Sequence, residues 1–442
     1  MKLPQEVQYC IASLEAAGFK AYAVGGCVRD SLLGLTPADY DLCTDATPAQ
    51  ICSVFADQQL LHHGEKHGTI GVVLGTQVYE ITTFRTEGGY EDSRHPDWVE
   101  FVSNVEDDLA RRDFTINAMA FNPKTGYVDP FGGQKDLHNH ILRTVGNPEA
   151  RFREDALRIL RGARFSARFR LKPEKTTKNA MVQLAPLMEN LARERVFEEL
   201  CKLLMSATAE NLLTFVPLLT QVIPELQSSV GFQQRSPHHR YDVFTHTAHV
   251  VEAVPKALDL RWAALLHDIG KPACFTMDET GRGHFKGHAK VSAEMADAIL
   301  LRLKAPTALR QQVTELIGLH MTPPEADKKF LRRRLGKLGQ ERLEQLLLLQ
   351  EADMGSKGTG KQEEEPFQRI RQLIQELLAE DACFSIKDLV VSGWDLQQVG
   401  FAPGPNIGKC LNFLLAQVQD EILPNQRDTL LRVAMELLED NT

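Results

Sequence analysis

The chain has 442 residues, of which 43% are hydrophobic and 25% charged, the composition of an ordinary globular protein with more than one core. Its formal net charge of −9 argues against a protein that coats nucleic acid indiscriminately, although this total conceals local basic segments. No apolar run is long enough to span a bilayer, and the opening MKLPQEVQ does not resemble a signal peptide, so we expect a cytoplasmic protein with no membrane partner.

A glycine turn and two acids stand out in the first 45 residues. The pattern predicts a short apolar strand at 21–24, a turn at Gly25-Gly26, and a second strand that carries Asp39 and Asp41. Alternation along that strand places both carboxylates on one face. An isolated Asp-x-Asp is more often an exposed turn, but two adjacent carboxylates repel each other and make most sense around divalent cations.

A third acid comes from the next pair of strands. Residues 68–74 (GTIGVVL) and 77–84 (QVYEITTF) are predicted to form a hairpin that turns at Gly75. Glu80 lies inside the second strand, an unfavoured place for a carboxylate unless it faces solvent or a cation. The polar, acidic segment TEGGYEDSRHP at 86–96 is predicted to be a mobile loop.

Strand and helix signals alternate over residues 1–137 and then give way to helices, which predicts an α+β fold with an all-α remainder. Within the first module, residues 106–121 (EDDLARRDFTINAMAF) are predicted to form one helix. A Gln-, Ser-, Pro- and His-rich loop and the hydrophilic break GSKGTGKQEEEP divide the helical part. We therefore expect four domains, with bounds at 1–137, 138–226, 227–355 and 366–442.

The three acids and the glycine turn together describe a nucleotidyl-transfer site. Two divalent cations about 3.5 to 4 Å apart can activate an attacking hydroxyl and stabilise a leaving phosphate. The glycines let backbone N–H groups approach a triphosphate, and Arg29 can neutralise its charge.

At this point the residues resemble a known family. Five motifs occur in the order expected of the class II tRNA nucleotidyltransferases, the CCA-adding enzymes: GGCVRD (25–30), DYDLCT (39–44), RRDFTINAMA (111–120), DPFGG (129–133) and REDALRILRGARF (153–165). The resemblance is close to about Leu226 and looser in the tail. It implies a polymerase β-type head followed by helical neck, body and tail domains, with CTP and ATP as substrates and the 3′ end of tRNA as primer.

The resemblance also implies residue roles. Asp39 and Asp41 would hold Mg²⁺ with Glu80 as the supporting acid, and Gly26 and Arg29 would cradle the triphosphate. The remaining residues implied to bind the nucleotide are Arg112, Asp155, Arg158, Arg161 and Arg164.

The segment EDALR at residues 154–158 offers a physical basis for the choice of nucleotide. Asp155 and Arg158 are three residues apart, which predicts that they share a face of one helix. The carboxylate accepts from the exocyclic amine of C or A, while the guanidinium donates to a neighbouring ring acceptor, so UTP and GTP are rejected without a template. Arg161 and Arg164 follow Arg158 at three-residue intervals along the same predicted helix, and their positive charges suit phosphates. The alternative is a surface arginine stripe paired with Glu154.

A second constellation contains histidines: FTHTAHV (His246, His249), ALLHDIGKP (His267, Asp268), FKGHAKVSA (His288) and LLLLQEADMGS (Asp353). It resembles the HD superfamily of metal-dependent phosphohydrolases. The resemblance implies His246, His267, Asp268 and Asp353 as metal ligands, with His288 and His320 near the site. Imidazoles and carboxylates suit Mn²⁺, Ni²⁺ or Co²⁺.

The full prediction is a nucleotidyltransferase head (1–137), a neck and body (138–226), an HD domain (227–355) and a tail (366–442).

Several alternatives stay open. A bacterial poly(A) polymerase is expected to carry a basic RRF-like signature where this chain has GEKHGTIGVV at 64–73. CC-only enzymes are expected to lack the loop at 86–96, whereas an A-only enzyme would look nearly the same as one that adds the full CCA. In a different class, the HD domain would be the main activity and the head would only bind RNA. The intact carboxylates of the head argue against that alternative.

Overall fold

The computed structural model describes residues 1–88, 98–237, 239–323, 325–358, 365–380 and 383–439. Two compact units are present, one of residues 1–227 with 301–305 and one of residues 228–300 with 306–442. The predicted α+β class is confirmed, because a small sheet lies in the N-terminal part and the remainder is mostly helical. The finer division into four domains stays a prediction.

The described part of residues 1–128 contains nine strands: β1 (Ala21–Val24), β2 (Asp41–Thr44), β3 (Gln59–Leu61), β4 (Thr69–Leu74), β5 (Gln77–Thr83), β6 (Arg85–Gly88), β7 (Trp98–Phe101), β8 (Ala120–Asn122) and β9 (Gly126–Val128). Seven of them form one sheet in the spatial order β3-β4-β5-β2-β1-β8-β9, and β6 pairs with β7. Within the sheet, β2 and β5 are parallel and the other neighbours are antiparallel.

Eleven helices accompany these strands in the described part of the first unit: α1 (Gln5–Ala16), α2 (Gly26–Leu32), α3 (Pro48–Val54), α4 (Val105–Ala110), α5 (Gly133–His138), α6 (Pro148–Glu154), α7 (Leu157–Phe169), α8 (Lys175–Gln183), α9 (Arg193–Leu204), α10 (Ala209–Thr214) and α11 (Val216–Val222). A short parallel pair, β10 (Ile141–Leu142) and β11 (Lys172–Pro173), lies among them.

The later part of the chain contains the helices α12 (Val243–Ala253), α13 (Leu258–Leu266), α14 (His288–Arg302), α15 (Thr307–Leu319), α16 (Lys328–Gly355), α17 (Glu365–Ala379), α18 (Gly393–Gln398), α19 (Pro405–Gln419) and α20 (Arg427–Glu439). One small hairpin, β12 (Thr276–Met277) with β13 (Gly283–His284), precedes α14. The helix α16 is bent at Gly339, where the backbone leaves helical geometry with φ 74°.

The predicted hairpin of the sheet is confirmed. β4 and β5 pair antiparallel around Gly75, which has a φ of 62°, a conformation that glycine adopts without strain. Along β5, Tyr79 and Ile81 are buried while Glu80 is exposed, as the alternation predicts. The buried side of the sheet packs against α4 through a cluster of Val24, Cys43, Phe84, Val105, Leu109, Ala118, Ala120 and Val145.

The predicted helix at 106–121 is wrong. The helix α4 ends at Ala110, and the chain then forms a short 3₁₀ turn at Thr115–Asn117 before entering β8. The Asp113 carboxylate accepts the backbone N–H of Phe114 at 2.8 Å, so the chain turns out of the helical path there. The segment from Ala120 then supplies the backbone partners that β1 needs, which the apolar spacing alone could not reveal.

The predicted loop at 86–96 is only partly covered. Its first residues belong to β6, which pairs with β7 in an antiparallel register. Residues 89–97, on which the rest of that prediction falls, lie outside the described residues.

Candidate functional site

A polar cavity of about 530 Å³ opens in the first unit beside the sheet. The glycine turn at Gly25-Gly26 forms part of its wall, and Asp39 and Asp41 form another part. All the nucleotide-binding residues predicted from the sequence also line it, namely Gly26, Arg29, Arg112, Asp155, Arg158, Arg161 and Arg164. Residues from distant parts of the sequence thus surround one cavity.

Pairing of the strands brings the acids together. In the parallel register of β2 with β5, Leu42 is opposite Ile81, so Asp41 and Glu80 are the residues immediately before the paired positions on adjacent strands. Asp39 precedes β2 and is not part of it, so the prediction that both aspartates lie within the strand is wrong for Asp39. It still lines the cavity with Asp41. Glu80 is not among the lining residues.

Like charges crowd around Asp41. Enclosure by the protein and the neighbouring Asp39 carboxylate raise the pKa of Asp41 to about 6, against the opposing effect of Arg112, and Glu80 raises it further. The side chain remains accessible to solvent. A carboxylate destabilised in this way gains most from a cation, and its oxygen donors fit Mg²⁺. The residues present are therefore suited to hold a divalent ion.

The glycine turn approaches Arg112 closely. Gly25 has a φ of 75°, and a Cβ atom at this position would lie 2.8 Å from Nη1 of Arg112. Arg112 in turn forms an ion pair with the buried Asp108 at 3.3 Å. Only glycine leaves both the backbone turn and this arginine undisturbed.

Three arginines of the cavity are held by neighbouring groups. Arg29 is buried, pairs with Asp30 at 2.6 Å, donates to Asn117 and lies over the ring of Phe169. Arg161 donates to Asp113 at 2.7 Å and Arg164 pairs with Glu199 at 2.8 Å.

These pairs have electrostatic consequences. Burial opposes the charge of Asp113, but Arg161 and Asn117 more than offset it and lower the pKa of Asp113 to about 2. The nearby Asp113 raises the pKa of Arg161 against the opposing effect of burial. The guanidinium groups are therefore positioned and charged before any ligand arrives.

The predicted single helix across EDALR is wrong. α6 ends at Glu154, Asp155 has an extended backbone with φ −143°, and α7 begins at Leu157. The Asp155 carboxylate accepts the N–H of Leu157 at 2.9 Å, a local cap that favours the break. Asp155 and Arg158 therefore do not share a face of one helix, although both line the cavity.

Arg195 was not predicted from the sequence. It lies on α9, lines the cavity and contacts Asp155 with an Nη2 to Oδ2 distance of 3.2 Å. Arg158 is buried and donates to Glu154 at 2.6 Å and to the carbonyl oxygens of Arg151 and Arg111. The pairing of Arg158 with Glu154 was the sequence alternative, and it occurs here inside the cavity wall.

The second unit contains a histidine and aspartate centre. His246 lies on α12, His267 and Asp268 follow α13, and Asp353 lies near the end of α16. Each of these four residues offers a ligand atom, and all four atoms lie within 4.8 Å of one another. The structure therefore brings together the four residues that the resemblance implied as metal ligands, and their role as ligands stays a prediction.

One buried ligand atom of this centre has no hydrogen-bond partner. Within the described part of the chain, this atom is Nε2 of His267. Oδ2 of Asp268 forms an ion pair with Nζ of Lys271 at 2.7 Å. Burial disfavours the charge on His267, but the adjacent Asp268 carboxylate outweighs it and raises the pKa of the imidazole. Burial disfavours ionisation of Asp353 too, but the hydrogen bond with His246 lowers the pKa of this carboxyl well below its usual range. Buried unpartnered ligand atoms around a small space fit a metal ion.

A second group shares one member with the first. Asp268, His288 and His320 also offer ligand atoms within 4.8 Å of one another. His288 and His320, placed near the site by the sequence analysis, are both buried.

Comparison with known proteins decides the family. Three family models match parts of the chain: the poly A polymerase head domain at residues 21–143, the probable RNA- and SrmB-binding site of polymerase A at 170–229, and the putative domain 2 of tRNA nucleotidyltransferase at 285–434. The CCA-adding enzyme of Latilactobacillus sakei is 35% identical over 428 residues, which cover 96% of this chain and 96% of the relative. The chain belongs to the CCA-adding enzymes.

Other relatives agree. The CCA-adding enzyme of Limosilactobacillus fermentum is 33% identical over 97% of this chain and 96% of its own length. The crystal structure of the Bacillus stearothermophilus CCA-adding enzyme in complex with CTP has a TM-score of 0.74 and 28% identity, and the match covers 100% of this chain and 99% of that one. The chain is thus a tRNA nucleotidyltransferase, an enzyme class that uses divalent metal ions, generally Mg²⁺.

Among the described residues, no helix combines the length and the apolar character needed to cross a membrane.

The close approach at Gly25 generates a prediction. Gly25→Ala should lower nucleotide addition at least about tenfold, equivalent to ~1.4 kcal/mol, because the new Cβ displaces Arg112 in the cavity wall. Gly34→Ala is the matched control, because Gly34 also has a positive φ of 71° but nothing lies within 4 Å of its Cβ position. Both variants should lose similar stability through backbone strain of about 1 to 3 kcal/mol. Equal activities in steady-state assays of the two variants would contradict the role of the close approach.

Proposed function

We propose that this chain builds and repairs the 3′-terminal CCA of tRNA without a template, using CTP and ATP and releasing pyrophosphate. The observation that carries the proposal is the single cavity lined by Asp39 and Asp41, the glycine turn and the arginines, in a member of the CCA-adding enzymes. The crystal structure of the Bacillus stearothermophilus relative with CTP supports the choice of nucleotide.

The residues of the cavity divide into three roles in this proposal. Asp39 and Asp41 hold the divalent ions, and Glu80 strengthens the negative field around Asp41 from the next strand. The ions supply neutralisation of the reacting phosphate and of the leaving pyrophosphate. The N–H group of Gly26, together with Arg29 and Arg112, orients the triphosphate so that its α-phosphorus faces the tRNA 3′-hydroxyl. The hydroxyl oxygen bonds to that phosphorus as the bond to the oxygen that bridges the α- and β-phosphates breaks. Pyrophosphate leaves with that oxygen, and the hydroxyl proton passes to solvent.

Asp155 and Arg158 select the base from two different local structures. A carboxylate has about four acceptor sites, and Asp155 uses one for Leu157 and one for Arg195, so it can still accept the exocyclic amine of C or A. Arg158 keeps donor capacity beyond its contacts with Glu154 and the two carbonyls, since a guanidinium carries five N–H groups. Arg161 and Arg164 contribute positive charge toward the phosphates.

The proposal is tested with three tRNAs, ending before CCA, after C and after CC, and with CTP and ATP supplied separately. We expect CTP to extend the first two substrates and ATP to extend the third. Extension of only the CC-ended tRNA, and only with ATP, would reveal an A-adding enzyme. Addition of long A tracts to RNAs that are not tRNA would instead indicate a poly(A) polymerase.

Asp41→Ala should abolish nucleotide addition because it removes a ligand of the metal ions. The tRNA affinity, measured by filter binding or fluorescence anisotropy, should change by less than about threefold, because the tRNA does not depend on this carboxylate for its charge contacts. Near-normal addition by this variant would refute the metal assignment.

The raised pKa of Asp41 predicts a pH dependence. At subsaturating Mg²⁺, nucleotide addition should fall below pH 6 because protons compete with the metal for this carboxylate. Raising the Mg²⁺ concentration should move the apparent pKa downward. The pKa of Asp41 in the folded state exceeds its ordinary value of 3.8. Without metal, the folded state therefore binds more protons than the unfolded chain between these two pH values. The contribution of Asp41 to the free energy of unfolding falls as the pH rises toward 6. An apparent pKa of nucleotide addition that does not change with the Mg²⁺ concentration would contradict the attribution of this pH dependence to Asp41.

We also propose that the second unit holds a divalent transition metal, Mn²⁺, Ni²⁺ or Co²⁺, at His246, His267, Asp268 and Asp353. The convergence of these four ligand atoms and the buried, unpartnered Nε2 of His267 support this proposal. The resemblance to HD proteins makes phosphohydrolysis the expected chemistry.

His246→Ala should lower the metal retained after gel filtration, measured by inductively coupled plasma mass spectrometry. His249→Ala is the matched control, because His249 lies on the same helix but stacks on Tyr241 and belongs to neither ligand group. Equal metal content in the two variants would contradict the assignment of His246.

A further inference from the structure

One backbone carbonyl lies where the helix predicted at 106–121 breaks off. On a continuous helix, the carbonyl oxygen of Arg111 would accept the N–H of Thr115. Because α4 ends at Ala110, that N–H instead donates to the carbonyl oxygen of Arg143 at 2.9 Å. The carbonyl oxygen of Arg111 accepts hydrogen bonds from side chains, as the last carbonyls of a helix commonly do.

Two arginines donate to this carbonyl. Nη1 of Arg151 lies 3.3 Å from the carbonyl oxygen of Arg111, and Nη2 of Arg158 also lies 3.3 Å from it. The same two side chains share Oε2 of Glu154, which is 3.0 Å from Nη1 of Arg151 and 2.6 Å from Nη1 of Arg158. Two guanidinium groups are thus held side by side by two acceptors that they have in common.

Arg158 reaches the cavity of the head, and Arg151 lies behind it. Among the described residues that line this cavity of about 530 Å³, Arg158 is present and Arg151 is absent. The side chains of Arg151, Glu154 and Arg158 are 21%, 23% and 11% exposed, so solvent screens the contacts among them only in part. Arg151 therefore acts on a nucleotide in the cavity only through the groups that it contacts.

We propose that Arg151 is a positioning residue that sets how far Arg158 reaches into the cavity. The inference rests on the proposed role of Arg158 in reading the base. Nη1 of Arg151 supplies a donor to each shared acceptor, so Arg158 does not have to satisfy both acceptors alone. The remaining N–H groups of Arg158 can then face the ring acceptor of cytosine or adenine.

Removal of the Arg151 guanidinium leaves both acceptors to Arg158. A carboxylate and a carbonyl in a protein wall that each lose a donor raise the free energy of the folded state. Arg158 reduces that cost by turning toward Glu154 and the Arg111 carbonyl, which draws its donors out of the cavity. Base reading is then weakened, while the acids and the arginines proposed to bind the triphosphate keep their own contacts.

The test compares CTP with 3-deaza-CTP, in which a C–H group replaces the ring nitrogen that Arg158 would contact. The kcat/KM for adding one nucleotide to a tRNA that ends before CCA is measured with each. We expect the parent to prefer CTP, and Arg151→Met should lower the ratio of the two values at least about tenfold. Methionine keeps an unbranched side chain but supplies neither charge nor donor.

Two further variants make the comparison specific. Arg151→Lys should keep the ratio within about threefold of the parent, because both contacts of Arg151 come from one nitrogen that Nζ of lysine can replace. Arg153→Met is the matched control, because Arg153 is exposed on the same helix α6, and it should leave the ratio unchanged. Thermal unfolding reports whether each variant is folded. Arg151→Gln, which also lacks the charge, takes the place of Arg151→Met if the methionine variant does not fold.

Arg158→Ala separates this inference from the proposed function. If Arg158→Ala leaves the ratio at the value of the parent, the reading of the base by Arg158 is overturned, and the role of Arg151 with it. A ratio that is lost in Arg158→Ala but kept in Arg151→Met would overturn the role of Arg151 alone. An equal fall of kcat/KM with both nucleotides in Arg151→Met would show a merely structural role and overturn the proposal as well.

Discussion

Repulsion between carboxylates is the constraint on which the head depends. The parallel pairing of β2 with β5 places Asp41 beside Glu80, and Asp39 adds a further negative charge just before the strand. No folded protein gains stability from such an arrangement by itself. It becomes favourable when cations bind there, so the proposed metal site explains why the sheet keeps carboxylates that destabilise it.

The arginines of the same cavity follow the opposite arrangement. Each has a nearby acid, as Arg161 has Asp113 and Arg164 has Glu199, and the rings of Phe165 and Phe169 lie against several of the guanidinium groups. These pairs keep the guanidinium groups in place without neutralising the cavity as a whole. A triphosphate therefore meets donors that are already ordered, and less conformational entropy is lost on binding. In the proposed function, the crowded acids therefore bind metal and the paired arginines bind the nucleotide.

The sequence predicted the parts of the site that local periodicity controls. The strand pattern placed Glu80 inside β5, where a carboxylate must face solvent or a cation, and Glu80 is exposed. The glycine turn and the hairpin followed from residue type. It failed where a side chain interrupts a regular element. Asp155 and Asp113 each accept a nearby backbone N–H and so end or prevent a helix, while the apolar spacing continues unchanged. Arg195 lies 40 residues from Asp155, and nothing in the local pattern links the two.

The break at Asp155 affects the proposed mechanism of base selection. On one continuous helix, Asp155 and Arg158 would move together as a rigid edge. Instead Asp155 precedes α7, accepts the N–H of Leu157 and contacts Arg195 of α9, whereas Arg158 lies on α7 and donates to Glu154 of α6. The position of the Asp155 carboxylate therefore depends on the contact with α9, and that of the Arg158 guanidinium depends on the contact with α6. In the proposed base selection, small shifts of α6 or α9 against α7 would move one group relative to the other, whereas two groups on a single helix face would stay in a fixed relation.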